Sequence, residues 1–219
     1  MPIGVSTGHP AITVGTIGCR VTDGTDVYAL SNNHVYAASS VADIGDAVIQ
    51  PGTRDGGSSS ADDIGTLFDF EPIKFDGSDN IIDAAIALSS AANLGNSTPG
   101  DGYGTPKSED IAAIINQKVK KYGRTTSLTK GQVFVVNATV DVNYGAAGIA
   151  RFVNQIAIIP GDFSTPGDSG SCIVADGKGR NKADDRKPVG LLFAGSPSIT
   201  FANPIGAVLT RFGVTVDGE

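Results

Sequence analysis

The sequence predicts an all-β protein of the sandwich or barrel type, on three observations. The 219 residues include 29 glycines and 11 prolines. Each Gly or Pro inside a helix costs about 1 to 3 kcal/mol, which argues against a helical bundle. Short apolar runs alternate with turn-forming clusters such as residues 76–80. With 40% hydrophobic and only 18% charged residues, the chain is expected to fold around a substantial core rather than to stay disordered.

Nine short segments rich in apolar and β-branched residues define the predicted strands. The first two flank a Thr-Asp-Gly-Thr turn at residues 22–25, which is a hairpin signal. The spacing of the others suits a sandwich or barrel. The predicted strands are residues 11–17, 27–30, 64–70, 81–88, 132–142, 152–159, 172–174, 189–193 and 199–202.

Two short helices are also predicted. Residues 108–116 begin with a Ser that can cap, carry acids in the first turn, and place isoleucines at positions 111, 114 and 115. Near the end of the chain, Asn203 can cap a helix, Pro204 suits its first position, and Gly213 stops it. The apolar residues of that second helix are Ile205, Val208, Leu209 and Phe212.

Charge and targeting signals narrow the classes of partner. The net charge of −7 argues against nucleic acid, because binding to phosphates relies on a basic surface. The first basic residue after the start is Arg20, so residues 1–18 lack the positive region of a secretory signal, and no apolar run is long enough to span a membrane. The sequence therefore predicts no membrane partner and slightly favours a cytoplasmic location.

Two cysteines, Cys19 and Cys172, are too few for a disulfide framework. Both lie in apolar, strand-like surroundings, so two buried thiols are expected, although a single bridge between them stays open. No metal ion is expected, since the Asp-Gly turns lack the alternating ligands and closing Glu of a calcium loop.

The segment at residues 166–171 is the most informative part of the sequence. Ser169 lies between glycines in a tight turn that enters a strand, so its hydroxyl is expected beside free backbone N–H groups. Acyl transfer needs a nucleophile together with donors for the developing oxyanion, and Gly167 and Ser169 would supply those N–H groups. A Gly-Asp-Ser-Gly turn can equally be a plain hairpin loop.

A serine hydroxyl needs an adjacent base, and the sequence offers two histidines. His9 lies near the terminus and is expected at the surface. His34 follows a predicted strand, where a side chain can reach into a cleft, although a core histidine is the alternative. Asp83 lies within the apolar residues 81–88 and must find a partner, either an imidazole or backbone N–H groups, because a buried unpaired carboxylate costs several kcal/mol.

Three motifs in this order resemble those of the chymotrypsin-fold, trypsin-like serine proteases, and the histidine motif resembles bacterial trypsin-like and HtrA-type enzymes. The order His, Asp, Ser is the order of that superfamily, here with spacings of 49 and 86 residues. Residues 121–126 resemble the stretch that opens its second barrel, and residues 189–195 resemble the strand that pairs with substrate backbone. The motifs are Asn32-Asn33-His34-Val35, Asp83 followed by Ala-Ala-Ile-Ala, and Gly167-Asp168-Ser169-Gly170.

The resemblance implies two six-stranded antiparallel β-barrels with the site in the cleft between them. Residues 1–107 would form the first barrel, residues 108–118 a connecting helix, and residues 119–219 the second barrel, which ends in the short C-terminal helix. In this scheme the histidine and aspartate come from the first barrel and the serine from the second.

The resemblance also implies roles for the individual residues. His34 would be the general base, Asp83 its orienting partner and Ser169 the nucleophile, with Gly167 and Ser169 forming the oxyanion hole. Asp168 matches an acid that pairs with the new N-terminus in enzymes activated by cleavage. Because the chain carries no recognisable activation sequence, a different partner is expected for Asp168.

The resemblance also implies where the specificity pocket lies. An ungapped comparison puts Phe163 at the pocket floor, with Asp162 one position away, which favours an apolar or medium-sized substrate side chain. The residues expected to contact substrate are Phe163, Ser164, Phe193, Ala194 and Gly195.

The expected function is therefore a serine endopeptidase that acts on proteins or peptides through an acyl-enzyme, without a cofactor. A catalytically silent binding or scaffold module on the same fold is the alternative. An ester hydrolase of the Gly-x-Ser-x-Gly type is disfavoured, because Ser171 stands where the last glycine should be.

Overall fold

The computed structural model describes residues 1–177 and 179–219, without the side chains of residues 179–181. The described residues form fifteen strands, two α-helices and short 3₁₀ segments. The strands are β1 (Ser6–Thr7), β2 (Gly15–Thr16), β3 (Cys19–Thr22), β4 (Val27–Ser31), β5 (Ala47–Ile49), β6 (Asp63–Phe70), β7 (Asp79–Asn80), β8 (Ala85–Ser89), β9 (Lys118–Gly123), β10 (Ser127–Asn143), β11 (Ile149–Ile159), β12 (Cys172–Ala175), β13 (Pro188–Ser196), β14 (Ile199–Pro204) and β15 (Thr215–Val216). The helices are α1 (Asn33–Tyr36) and α2 (Ile205–Phe212).

Two large sheets confirm the predicted all-β, two-barrel fold. The first sheet has the strand order β15-β3-β4-β8-β6-β5 and is antiparallel throughout. The second has the order β10-β9-β12-β13-β14-β11 and closes into a barrel because β10 also pairs with β11. Closure removes the unpaired strand edges that favour aggregation.

Two strands pair with the sheet of the other half of the chain, across the predicted division into residues 1–107 and 119–219. β15, near the end of the chain, pairs with β3 of the first sheet. β7, from the first half of the chain, pairs in parallel with β11 of the second sheet. Each barrel is therefore completed by a strand from the other half of the chain.

The largest hydrophobic cluster is continuous across the contact between the barrels. It joins first-barrel residues such as Leu30 and Ile86 to Cys172 and Leu191 of the second barrel. A second cluster fills the second barrel, and a third, smaller one lies beneath the β10–β11 hairpin. Burial of apolar surface, worth about 25 cal/mol per Å², thus holds the barrels against each other as well as filling them.

The predicted connecting helix at residues 108–118 is wrong. The backbone there is irregular up to the start of β9, within the range that the structure describes. The N–H of Ile111 donates to the carbonyl of Pro188 at 2.9 Å instead of to a helical partner, while Ile114 and Ile115 stay exposed. A helix of this length is marginal unless its apolar face is covered, and here neighbouring strands capture the backbone instead.

The predicted C-terminal helix is confirmed, with a different beginning. α2 starts at Ile205, and Asn203 lies in β14 with its side chain fully buried. Gly213 ends the helix in the left-handed conformation at φ 65°, as expected of a C-terminal glycine. Asn203 was predicted to cap α2, but its side chain bonds to the backbone of Asp83.

Both cysteines are buried and neither forms a disulfide, so the prediction of two buried thiols is confirmed. Cys19 lies on β3 and Cys172 on β12, on the two sides of the contact between the barrels. A hydrogen bond with Cys172, reinforced by burial, raises the pKa of Cys19 well above its usual value, which keeps this thiol protonated and inert. Over the residues described, neither helix has the length and apolar character needed to cross a bilayer.

Candidate active site

Strand pairing in the first barrel brings His34 and Asp83 together. β4 and β8 are antiparallel, and Ser31 at the end of β4 faces Ala85 at the start of β8. α1 begins two residues after the end of β4, and Asp83 lies two residues before the start of β8. Two residues 49 positions apart in sequence therefore meet at one edge of the same sheet.

His34 and Asp83 form a close, hydrogen-bonded pair. Nδ1 of His34 lies 2.6 Å from Oδ2 of Asp83, and the backbone N–H of His34 donates to Oδ1 at 3.2 Å. The Asp83 side chain is 0% exposed and that of His34 is 22% exposed. Because an ionised carboxylate only accepts hydrogen bonds, Nδ1 is the donor of this bond. In the neutral ring Nε2 then carries the lone pair, which is the tautomer a general base needs.

The backbone around Asp83 is held by two buried asparagines. Asn203 accepts the N–H of Asp83 at 3.1 Å and donates to its carbonyl at 3.1 Å. The Asn32 side chain donates to the same carbonyl at 2.8 Å. Both asparagines are 0% exposed, and such bonds let a charged residue be buried with its polar groups satisfied. Asp83 is therefore fixed in backbone as well as in side chain.

Ser169 lies on a loop that leads into β12 and is pinned from both sides. The carbonyl of Ser169 accepts the N–H of Thr16 at 2.8 Å. The next residue, Gly170, donates its N–H to Leu192 at 2.8 Å and has φ +94°, a conformation that favours glycine. Its α-carbon faces the Ser31 hydroxyl and the Thr16 carbonyl so closely that a side chain would collide with them. The loop is thus seated against the first barrel.

The backbone N–H groups of Gly167 and Ser169, the expected oxyanion donors, make no hydrogen bond to another described residue. The carbonyls at the other ends of the same two peptide planes are anchored. Pro166 O accepts from the Thr125 hydroxyl at 2.9 Å, and Asp168 O accepts from the N–H and hydroxyl of Ser171 at 3.0 and 2.6 Å. Since a peptide is planar, an anchored carbonyl fixes the direction of its N–H.

Among the described residues, which include both Ser169 and His34, no hydrogen bond joins the serine to the histidine. Catalytic hydrogen bonds are often long or poorly aligned before substrate binds, so this geometry leaves the complete triad a prediction.

Asp168 pairs with Lys121, a partner within the chain other than a new N-terminus. Nζ of Lys121 lies 3.5 Å from Oδ2 of Asp168, and both side chains are 0% exposed. Burial lowers the pKa of Lys121, while the charge of Asp168 opposes that effect. The carboxylate also accepts the N–H groups of Thr125 and Thr126 at 2.9 and 3.1 Å.

The predicted pocket residues fall into two groups. Phe163 is 1% exposed and packs in the core of the second barrel, and Phe193 is 3% exposed in the third cluster. Ser164 is half-buried beside Gly195, and its hydroxyl lies 2.7 Å from that of Thr200. A polar pair of side chains, Ser164 and Thr200, thus lies beside Gly195. The apolar floor expected at Phe163 stays a prediction.

Sequence reasoning missed three residues that support the site. Lys121 occupies an inward position of β9 alongside Val119, and that alternation could have predicted a buried, paired lysine. Thr125 and Tyr144 lie in turns, and nothing local marks them, because their partners are 41 and 61 positions away. No group of three or more His, Cys, Asp or Glu residues with metal-binding geometry occurs among the described residues.

Comparisons with known proteins agree with this architecture. The chain is 29% identical over 214 residues to streptogrisin-A of Streptomyces griseus, covering 95% of this chain and 60% of that protein. Among solved structures, Nocardiopsis protease (NAPase) gives a TM-score of 0.69 at 17% identity, covering 99% of each chain. Thermobifida fusca protease A gives 0.68 at 18% identity, covering 100% of each chain.

The two barrels and these similarities define the fold as that of the chymotrypsin-like, trypsin-like serine proteases. Within this class, the chain belongs to the Nal1 C-terminal domain family, which matches residues 77–202, more than half of its length. The chain spans about 60% of the length of the streptogrisin-A that it matches.

Proposed function

We propose that this chain is a serine endopeptidase that hydrolyses peptide bonds through an acyl-enzyme. The observation that carries the proposal is the buried Asp83–His34 pair, which leaves Nε2 as a base. The free N–H groups of Gly167 and Ser169 support it, because acyl transfer needs donors for the oxyanion as well as a base.

In the proposed reaction, Oγ of Ser169 attacks the substrate carbonyl while Nε2 of His34 takes the hydroxyl proton. The carbonyl oxygen becomes negative and accepts the N–H groups of Gly167 and Ser169. Collapse breaks the C–N bond, and His34 returns the proton to the leaving amine, which gives the acyl-enzyme. A water molecule then repeats the sequence, His34 again acting as base, and releases the new carboxylate and free Ser169. Asp83 stays ionised and stabilises the imidazolium at each stage.

A peptide substrate is supported by the edge of β13. β12 pairs with β13 only as far as Cys172 and Leu191, after which Gly170 and Ser171 bond to Leu192. Past that point, in the part of the chain that the structure describes, Ala194 and Gly195 pair with β14 alone. An extended peptide can add to such an edge through main-chain hydrogen bonds.

For the substrate side chain we propose an apolar or medium-sized residue. Apart from Phe163 and Phe193, which are buried, the nearby groups are small: Ala194, Gly195 and the hydroxyl of Ser164. The Ser164 hydroxyl is paired with that of Thr200, and the three atoms nearest to a side chain built at Gly195 include no carboxylate oxygen.

Labelling with a fluorophosphonate tests the proposal, since this reagent modifies a serine only where a base and an oxyanion hole activate it. The native chain is expected to gain one phosphonyl adduct, and Ser169→Ala none. Ser198→Ala, which removes an exposed serine from the β13–β14 turn, is the matched control and is expected to label like the native chain. A folded native chain that never labels would favour the silent scaffold.

A further inference from the structure

A tyrosine from the second barrel completes the hydrogen bonds of the Asp83 carboxylate. The hydroxyl of Tyr144 donates to Oδ2 of Asp83 at 2.7 Å, the same oxygen that lies 2.6 Å from Nδ1 of His34. Oδ1 accepts the backbone N–H of His34. With three donors, the buried carboxylate is fully held, and one of the three comes from a different barrel.

Tyr144 lies in the turn between β10 and β11, at the tip of the longest hairpin of the molecule. Its ring lies edge-on to His34 at 5.9 Å and to Phe75 at 5.7 Å between ring centres. Burial, with a further contribution from the charge of Asp83, raises the pKa of Tyr144 well above its usual value. The phenol therefore keeps its proton and acts as a donor to the carboxylate.

The same hairpin also holds the backbone that leads to Asp83. β7 pairs in parallel with β11. The side chain of Asn80 donates to the carbonyl of Arg151 at 3.1 Å, and that of Gln155 donates to the carbonyl of Ile81 at 2.7 Å. The position of the hairpin and the position of the aspartate are thus linked at several points along one strand.

We propose that Tyr144 is a positioning residue of the active site, which holds the Asp83 carboxylate against His34 and ties that alignment to the seating of the β10–β11 hairpin. Its effect on rate rests on the proposed function, but its effect on the imidazole does not. The hydroxyl dipole offsets part of the negative charge on Oδ2. Without it, that charge acts more fully on His34 and favours the protonated ring.

Titration of His34 by NMR in Tyr144→Phe tests this without any need for turnover. The substitution removes the hydroxyl and keeps the ring, so the packing against His34 and Phe75 is retained. The chain has only two histidines, and His9, which pairs with Asp46, serves as an internal reference. The titration midpoint of His34 is expected to rise by roughly half a pH unit or more, with that of His9 unchanged. An unchanged His34 midpoint overturns the proposal.

Peptide hydrolysis provides the second readout. In Tyr144→Phe, kcat is expected to fall about tenfold or more with KM within about twofold, because the hydroxyl contacts the partner of the base rather than the substrate. Tyr28→Phe is the matched control: it removes a tyrosine–aspartate hydrogen bond of 3.1 Å, to Asp23, at the other end of β4, and is expected to keep native rates.

The outcomes separate the two proposals. An inactive native chain would contradict the endopeptidase, and the His34 titration would then decide the role of Tyr144 alone. A native chain that is active, with Tyr144→Phe unchanged in kcat and in the His34 midpoint but lowered in thermal stability, would make Tyr144 a packing residue and overturn the inference.

Discussion

The ammonium of Lys121 and the carboxylate of Asp168 form an ion pair in which neither side chain is exposed to solvent. Lys121 lies on β9, and Asp168 directly precedes Ser169. Lys121 also donates to the hydroxyl of Thr126 and, at 3.1 Å, to the carbonyl of Ser127. The acid beside the proposed nucleophile is therefore neutralised within the chain, so the loop can hold its conformation without a newly cleaved terminus.

Replacing Lys121 with Met is expected to destabilise the protein strongly. Loss of one partner leaves Asp168 as a buried, uncompensated charge, at a cost of about 3 to 5 kcal/mol. Urea denaturation would measure the free energy of unfolding. Lys130→Met breaks an ion pair with Asp176 in which the lysine is 52% exposed, and a change below about 1 kcal/mol is expected there. Equal losses for the two variants would contradict the burial argument.

Removing the Thr125 hydroxyl is expected to slow catalysis through the proposed oxyanion hole. Thr125→Val releases the carbonyl of Pro166, so the N–H of Gly167 is no longer held in direction. Loss of one oxyanion donor costs about 10² to 10³ in kcat, and partial misalignment should cost about tenfold or more. Steady-state kinetics would show the loss in kcat rather than in KM. Thr125→Ser keeps the hydroxyl and should keep most of the rate; if it is as slow as Thr125→Val, the hydroxyl is not the cause.

The three proposed catalytic residues are expected to act as one unit. Ser169→Ala and His34→Ala should each lower kcat by a factor on the order of 10⁶, and the double variant should be no slower than either one. Asp83→Asn should cost less, roughly 10⁴, because the amide favours the wrong tautomer of His34 while the oxyanion hole remains. Additive losses in the double variant, or a small loss for His34→Ala, would show that another base operates.

The contact between Asp55 and Arg124 predicts a dependence of stability on pH. Hydrogen bonds from Arg124, opposed in part by burial, hold the pKa of Asp55 down at about 2, against 3.8 when unperturbed. Its contribution is therefore present above about pH 4 and is lost as the pH falls toward 2. Near neutral pH the free energy of unfolding of the native chain should exceed that of Asp55→Asn by about 1 kcal/mol, a modest amount because the pair is partly exposed.

The difference in the free energy of unfolding between the native chain and Asp55→Asn should shrink steadily below pH 4. Asp55 also accepts the hydroxyl of Ser6 at 2.5 Å. Ser6→Ala leaves the Arg124 pair in place, so most of the acid dependence should remain in that variant. A difference between the native chain and Asp55→Asn that is the same at pH 3 and pH 7 would contradict the assignment.

The sequence indicated Asp83 and His34 for two different reasons. An acid within residues 81–88 must have a partner, and a histidine just after a strand can reach one. The spacing of the two residues in the sequence could not show that they meet. The antiparallel register of β4 and β8 brings them together, because it places the end of β4 beside the start of β8.

The supporting residues could not be predicted in the same way. The bond between Tyr144 and Asp83 depends on how a 17-residue strand of one barrel curves over the other, which no local pattern encodes. The helix predicted at residues 108–118 is absent because a local pattern was outweighed by contacts with distant strands. The spacing of its isoleucines fits a helix, but the neighbouring strands offer the backbone better partners than a marginal helix does.

Hydrolysis of a defined peptide mixture in water enriched in oxygen-18 tests the central claim most directly, because each hydrolysed bond leaves the label on a new carboxyl terminus. Mass spectrometry of the products of the native chain should show labelled internal cleavages, most of them after apolar or medium-sized residues. Folded Ser169→Ala should give none above background. Labelled cleavages at equal rates in both proteins, or none from the native chain, would contradict the account.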